Sequence, residues 1–167
     1  MIRVLCFLLL IFPLLANAIE WNDPDCGKLN KYHGKVFEFN ASMSFHGDID
    51  IKLCKDNDTH FLTVSTKIPS GNNDLTEEWK RIDLKKEIVP KIMESYENAM
   101  RYNTLDKVMG PDGSSWCIES QHGFTYTKAC FWSPGYKSEE RGLSGLRDLG
   151  IYLWEISGLE KANIKLY

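Results

Sequence analysis

The sequence lacks the short motifs that identify most enzymes and cofactor-binding proteins. It contains no Gly-rich phosphate-binding loop and no closely spaced Cys and His residues of the kind that hold zinc. Segment 142–145 approaches the Gly-x-Ser-x-Gly nucleophile motif but has the wrong spacing. Segment 56–58 opens like a calcium loop, yet the glycine and the distant glutamate of such a loop are missing. We therefore expect no cofactor and no metal site.

Long hydrophobic runs are scarce, and the one that is present stands at the N-terminus. Residues 4–15 are apolar, follow Arg3 and precede Ala16-Asn17-Ala18. This is the layout of a secretory signal peptide. A transmembrane helix is the alternative, but it needs roughly 20 apolar residues. The sequence predicts a signal peptide over residues 1–18 and no membrane anchor after its cleavage.

The remainder, residues 19–167, has no Pro/Gly/Ser-rich linker and no internal repeat, so it predicts a single domain. An excess of positive charge is also lacking. Without Arg3, 19 Lys and Arg residues stand against 23 Asp and Glu residues, a net charge of −4. Such a surface does not attract phosphate backbones, and no basic patch offsets it. We expect no nucleic-acid partner.

Cysteines are few, and their number is even once the signal peptide is removed. Cys6 lies in the signal peptide, and the others are Cys26, Cys54, Cys117 and Cys130. An even number in an exported chain predicts two disulfides, because the bacterial periplasm, the secretory pathway and the cell exterior are oxidising. We expect the protein in one of these locations.

A turn in the C-terminal third of the chain selects one of the three possible disulfide pairings. Gly at the first central position of residues 123–124 fits a two-residue type II′ turn. That turn would place Cys117 opposite Cys130 as a non-hydrogen-bonded pair, with Cα atoms about 4.5 Å apart. A disulfide tolerates this spacing. We therefore predict the bond Cys117–Cys130 and, by elimination, the bond Cys26–Cys54.

Alternating apolar residues over 36–66 predict a three-stranded β-meander near the N-terminus. A three-residue turn at 46–48 would place Phe45 opposite Ile49. In that register every apolar side chain of the first two strands lies on the same face of the sheet.

Helical periodicity marks two further parts of the chain. Residues 75–100 predict a helix that is kinked, or replaced by two helices, at Pro90. Residues 139–157 predict a second helix that begins at the N-cap Ser138 and stops at Gly158. The predicted fold class is α+β: an antiparallel sheet, made of the β-meander and a disulfide-clamped hairpin, packed against helices.

The disulfide side of the predicted hairpin is the candidate binding surface. Alternation along the strands places Glu119, Tyr126 and Lys128 on this side, and Phe131 on the opposite, core side. Aromatic residues often anchor protein interfaces. The candidate binding residues are Phe124, Tyr126, Lys128, Trp132 and Tyr136. The alternative is that a helix covers this side and that its aromatic residues belong to the core.

These features favour a binding protein over an enzyme. We expect an exported, non-enzymatic protein that binds another extracytoplasmic protein, as inhibitors and immunity proteins do. The alternative is a small secreted hydrolase whose site forms only in three dimensions, with His122, Glu119 and His46 as its first candidate residues. A His in a cleft near a carboxylate or hydroxyl would favour the hydrolase, whereas a rigid, convex aromatic patch would favour the binding protein.

Overall fold

The structure, a computed structural model, describes residues 26, 34–44, 47–69, 75–161 and 166. The predicted signal peptide lies outside these residues. The described part folds into strands β1 (Lys35–Met43), β2 (Ile49–Asp56), β3 (Thr59–Pro69), β4 (Leu75–Asp83), β5 (Ser114–His122) and β6 (Thr125–Trp132), with helices α1 (Val89–Ala99) and α2 (Ser144–Ile156).

All six strands form one antiparallel sheet in the order β4-β3-β2-β1-β5-β6. A mixed α+β fold is thereby confirmed. Alternate residues of β1 are buried, which directs one face of the sheet into the core. A Cβ atom on Gly150 of α2 would lie 2.5 Å from the Trp116 ring and 2.8 Å from the Phe39 ring. Only glycine therefore allows α2 to approach this face so closely.

The register between β1 and β2 differs from the predicted one. Ile49 lies opposite Ala41 and Ile51 lies opposite Phe39. Phe45 and His46 lie outside the described residues. The two registers differ by four positions along β1, and an even shift leaves every side chain on its original face. The apolar pattern identified the buried face but could not select the register.

The first half of the predicted helix over 75–100 is a strand. Residues 75–83 form β4, which pairs with β3 along its whole length. Trp79 and Ile82 have a helix-like spacing, but this segment carries charged residues on both faces, as is typical of an edge strand. Pro90 neither kinks a helix nor joins two helices. It lies in the first turn of α1, where its missing N–H costs no hydrogen bond.

The last helix begins later than predicted. It starts at Ser144 and not at Glu139, because Gly142 has a φ of +69° and therefore interrupts any helix through this position. Ser138 is not an N-cap, and its hydroxyl accepts a 2.6 Å hydrogen bond from Arg147. The predicted stop is confirmed, because Gly158 follows the C-cap residue with a φ of +71°.

Both predicted disulfides are present. The Cα atoms of Cys117 and Cys130 are 4.0 Å apart, and those of Cys26 and Cys54 are 5.4 Å apart. Two disulfides are compatible with an oxidising, exported location. Among the described residues, no helix has the length and apolar character needed to cross a membrane.

Candidate functional site

The clamped hairpin, residues 114–132, has the register that its turn predicted. Gly123 has a φ of +60° whereas Phe124 has no positive φ, the combination that a type II′ turn requires. The turn pairs His122 with Thr125, and the same register continues to the disulfide and beyond it. A bond between directly opposed residues holds the two strands together below the turn. The hairpin therefore offers a rigid support for the side chains it carries.

The tip of the clamped hairpin, residues 121–126, consists entirely of exposed residues. Pairing between β1 and β5 ends at Ser120, so the tip forms no ladder with the neighbouring strand. Phe124 is fully exposed at the apex, with a relative accessibility of 110%, and Tyr126 is 57% exposed. In the part of the chain that the structure describes, no helix covers these two rings, which form an exposed aromatic patch and are not part of the core.

A carboxylate at the base of the tip binds three neighbours. Glu119 accepts hydrogen bonds from Lys35 at 2.9 Å and from the Tyr126 hydroxyl, and its other oxygen lies 3.3 Å from the ammonium group of Lys128. Partial burial by itself would raise the pKa of Glu119, but the hydrogen bonds from the two lysines hold it below its ordinary value. Glu119 thus stays ionised and fixes the positions of Tyr126 and Lys128.

Trp132 and Tyr136 lie at the other end of the same face and have different environments. Trp132 is half-buried, and its indole N–H donates a 2.9 Å hydrogen bond to the carbonyl of Asp112. The indole packs so closely on Gly110 that a Cβ atom there would overlap it. Tyr136 is 52% exposed and meets Trp132 edge to face, with ring centroids 6.0 Å apart. Trp132 therefore supports the loop at 110–113, and Tyr136 is the more accessible ring.

A buried ion pair next to Trp132 and Tyr136 was not predicted from the sequence. Arg141 binds Asp106 through two hydrogen bonds of 3.1 and 2.8 Å, and both side chains are only 5% exposed. The remaining guanidinium donors bind backbone carbonyls, which are those of Trp132, Ser133 and Tyr136. Arg141 therefore fixes the loop that carries the two aromatic rings. The partners are 35 residues apart along the chain, so no local pattern indicates the contact.

The residues of the hydrolase alternative do not assemble into a catalytic group in the described part of the chain. His122 lies 3.3 Å from the hydroxyl of the buried Tyr96, which is the kind of neighbour that the hydrolase alternative requires. His122 is, however, an exposed residue of the tip, and strand alternation directs Glu119 to the opposite face. His46 lies outside the described residues. Within the described ranges, no three His, Cys, Asp or Glu side chains are grouped as metal ligands would be.

The two disulfides are expected to open at different concentrations of a dithiol reductant. Cys130 is exposed, whereas Cys26 and Cys54 are 4% and 0% exposed and pack with Phe61. Thiol–disulfide exchange requires access to a sulfur atom, so Cys117–Cys130 should be reduced first. Stepwise reduction, alkylation and peptide mapping measure the order. Labelling of Cys54 before or together with Cys130 would contradict the expectation.

No protein family matches the chain, and no curated protein matches its sequence. We therefore argue the function from the residues of the clamped hairpin.

Proposed function

We propose that this protein is an exported, non-enzymatic binding protein that docks on another extracytoplasmic protein through the tip of the clamped hairpin. The observation that carries the proposal is the full exposure of Phe124 at the apex of a disulfide-clamped turn. An inhibitor or immunity protein is the type that fits best, because a protruding tip is complementary to a concave site on its target.

The chemistry of the tip suits an interface anchor. A Phe side chain left in water gains much of its burial free energy only when a partner covers it. Tyr126 adds a second ring next to it, and its hydroxyl is already oriented by Glu119. Aromatic residues dominate the affinity of many protein interfaces.

The rigidity of the tip favours tight binding. A partner that binds a flexible loop must also order it, which costs free energy for every side chain and backbone segment that is immobilised. The bond between Cys117 and Cys130 closes the loop from below, and the loop-closure contribution of such a short crosslink is about 3 kcal/mol. The tip is thus ordered before a partner arrives.

Replacing Phe124 with Ala is expected to weaken partner binding at least about 30-fold, which corresponds to an anchor of about 2 kcal/mol. The partner would first be isolated by co-purification from the native extracytoplasmic fraction and identified by mass spectrometry. Calorimetry with the purified pair then gives the affinity of each variant. Because Phe124 makes little contact with its own chain, the melting temperature should not change.

Trp79→Ala is the matched control. Trp79 is an aromatic residue that is 39% exposed on β4, at the opposite edge of the same sheet. Its replacement should leave the affinity unchanged. Equal losses of affinity for the two variants, or an unchanged affinity for Phe124→Ala, would contradict docking through the tip.

A further inference from the structure

β6 is an edge strand, and one row of its backbone groups is open. The turn makes His122 and Thr125 a hydrogen-bonded pair, so Thr125, Thr127, Ala129 and Phe131 direct their N–H and C=O groups to β5. The alternate residues Tyr126, Lys128 and Cys130 direct theirs away from the sheet. Within the described ranges, no backbone group bonds this outward row.

The two edges of the sheet differ in how they are protected. β4 carries five charged residues along its length, which are Glu77, Glu78, Lys80, Arg81 and Asp83. Charged residues on an edge strand discourage the pairing of a further strand. β6 carries one charged residue, Lys128, and is otherwise rich in Thr and aromatic side chains, which favour strand pairing. The edge at β6 is therefore the one suited to receive another strand.

The open row has a defined end. The outward carbonyl of Trp132 already accepts a 2.7 Å hydrogen bond from the Arg141 guanidinium. An added strand can therefore pair along residues 125–131 but not beyond them. The disulfide between Cys117 and Cys130 fixes β6 against β5, so this row is already extended and ordered.

Lys128 determines which strand fits. Its ammonium group lies 3.3 Å from Glu119, but Glu119 also accepts a 2.9 Å bond from Lys35. Lys128 can therefore share its charge with an incoming carboxylate while Glu119 stays paired. Opposite charges placed directly across two antiparallel strands stabilise the pairing, and like charges destabilise it.

The same charge disfavours a second copy of this chain. In a two-fold antiparallel pairing of residues 125–131, the register with the longest overlap centres on Lys128 and places it opposite its symmetry mate. Two ammonium groups would then face each other across the new pair of strands.

We infer that β6 receives an extended segment of the partner as a seventh, antiparallel strand, with an acidic residue of that segment opposite Lys128. This inference rests on the proposed function and specifies the mode of binding. Main-chain hydrogen bonds to the open row would supply affinity, and the carboxylate opposite Lys128 would supply selectivity. The aromatic tip would contact the partner next to the added strand.

The test uses the whole exported chain and two synthetic probes. The first is a capped peptide, Thr-Val-Thr-Glu-Thr-Val-Thr, and the second carries Lys in place of the central Glu. Amide hydrogen exchange by NMR is expected to show protection of the Tyr126, Lys128 and Cys130 amides with the Glu peptide. The Glu peptide should bind about threefold tighter than the Lys peptide.

Two variants separate the backbone from the charge. Lys128→Pro removes an outward N–H while leaving the ladder to β5 intact, and should abolish peptide binding. Lys128→Gln keeps the edge open and should bind both peptides equally. If Lys128→Pro does not fold, Lys128→Gln still decides the role of the charge.

Each remaining outcome overturns the inference. No protection with the Glu peptide, or protection of other residues only, excludes strand addition at β6. Protection that increases with protein concentration in the absence of peptide identifies a second copy as the occupant. If the peptides fail while Phe124→Ala still weakens the natural partner, strand addition is wrong and docking through the tip stands.

Discussion

Replacing Arg141 with Ala is expected to lower the free energy of unfolding by about 3 to 5 kcal/mol, because it leaves the Asp106 carboxylate buried without a counter-charge. The change also removes the donors of three backbone carbonyls in the loop 132–136. Denaturant unfolding followed by tryptophan fluorescence measures the loss. An effect below about 1 kcal/mol would show that the pair is not the support of this loop.

Glu140→Ala is the control for this prediction. Glu140 also pairs with a basic residue, Lys137 at 3.5 Å, but the two side chains are 72% and 53% exposed. Exposed pairs contribute about 0 to 1 kcal/mol. The contrast between the two variants separates a buried ion pair that also binds backbone carbonyls from an exposed ion pair in the same segment.

The contribution of the buried pair should disappear in acid. Hydrogen bonds from Arg141 hold the pKa of Asp106 below its ordinary value. A carboxyl group whose pKa is lower in the folded state than in the unfolded state stabilises the fold. This stabilisation is fully present above the pKa of the unfolded state, about 3.9, and is lost as the pH falls through the pKa of the folded state. Asp106→Asn does not titrate at this position. The difference in the free energy of unfolding between this variant and the unaltered chain should stay constant down to about pH 4 and become smaller below it.

Phe131→Ala is expected to cost about 3 to 5 kcal/mol of stability, because its ring is buried and its removal leaves a cavity. Phe131 is 8% exposed, and the centroid of its ring lies 5.1 Å from that of the Tyr102 ring. Phe124→Ala makes the same chemical change on the same hairpin at a fully exposed position, and should alter stability by less than about 0.5 kcal/mol. Thermal and denaturant unfolding compare the two.

These two variants also test which side of the hairpin belongs to the core. A large loss of stability for Phe124→Ala would show that the tip is packed against the chain, and the proposed binding surface would be excluded. A small loss for Phe131→Ala would show that the core side of β6 had been assigned wrongly.

The clamped hairpin could be predicted in detail because its information is local. A glycine at the first position of the turn fixes φ, the turn fixes the register, and the register places Cys117 opposite Cys130. Each step depends on residues within ten positions of the turn. The same reasoning placed Tyr126 and Lys128 on the disulfide side, since alternation along a strand determines the face of each side chain, and it placed Phe124 in the turn between the strands.

The register of β1 against β2 and the identity of β4 required the whole sheet. A shift by an even number of residues preserves the buried face, so hydrophobicity alone does not distinguish the registers. The segment that forms β4 has apolar residues at helical spacing, but its pairing with β3 outweighs that local preference. Both the register and the strand depend on pairing with residues that are distant along the chain or on the far side of a loop.

The sequence by itself determined the disulfides, the hairpin and the α+β class, because turn geometry and strand alternation act between neighbouring residues. Only the tertiary structure determined which aromatic residues are accessible. Trp132 and Tyr136 have similar sequence contexts, yet the loop at 110–113 covers the first and leaves the second exposed. The buried pair of Arg141 and Asp106, which holds the loop 132–136, joins residues far apart in the chain. Burial and charge pairing of this kind depend on the distance between atoms in space, which the order of residues alone does not specify.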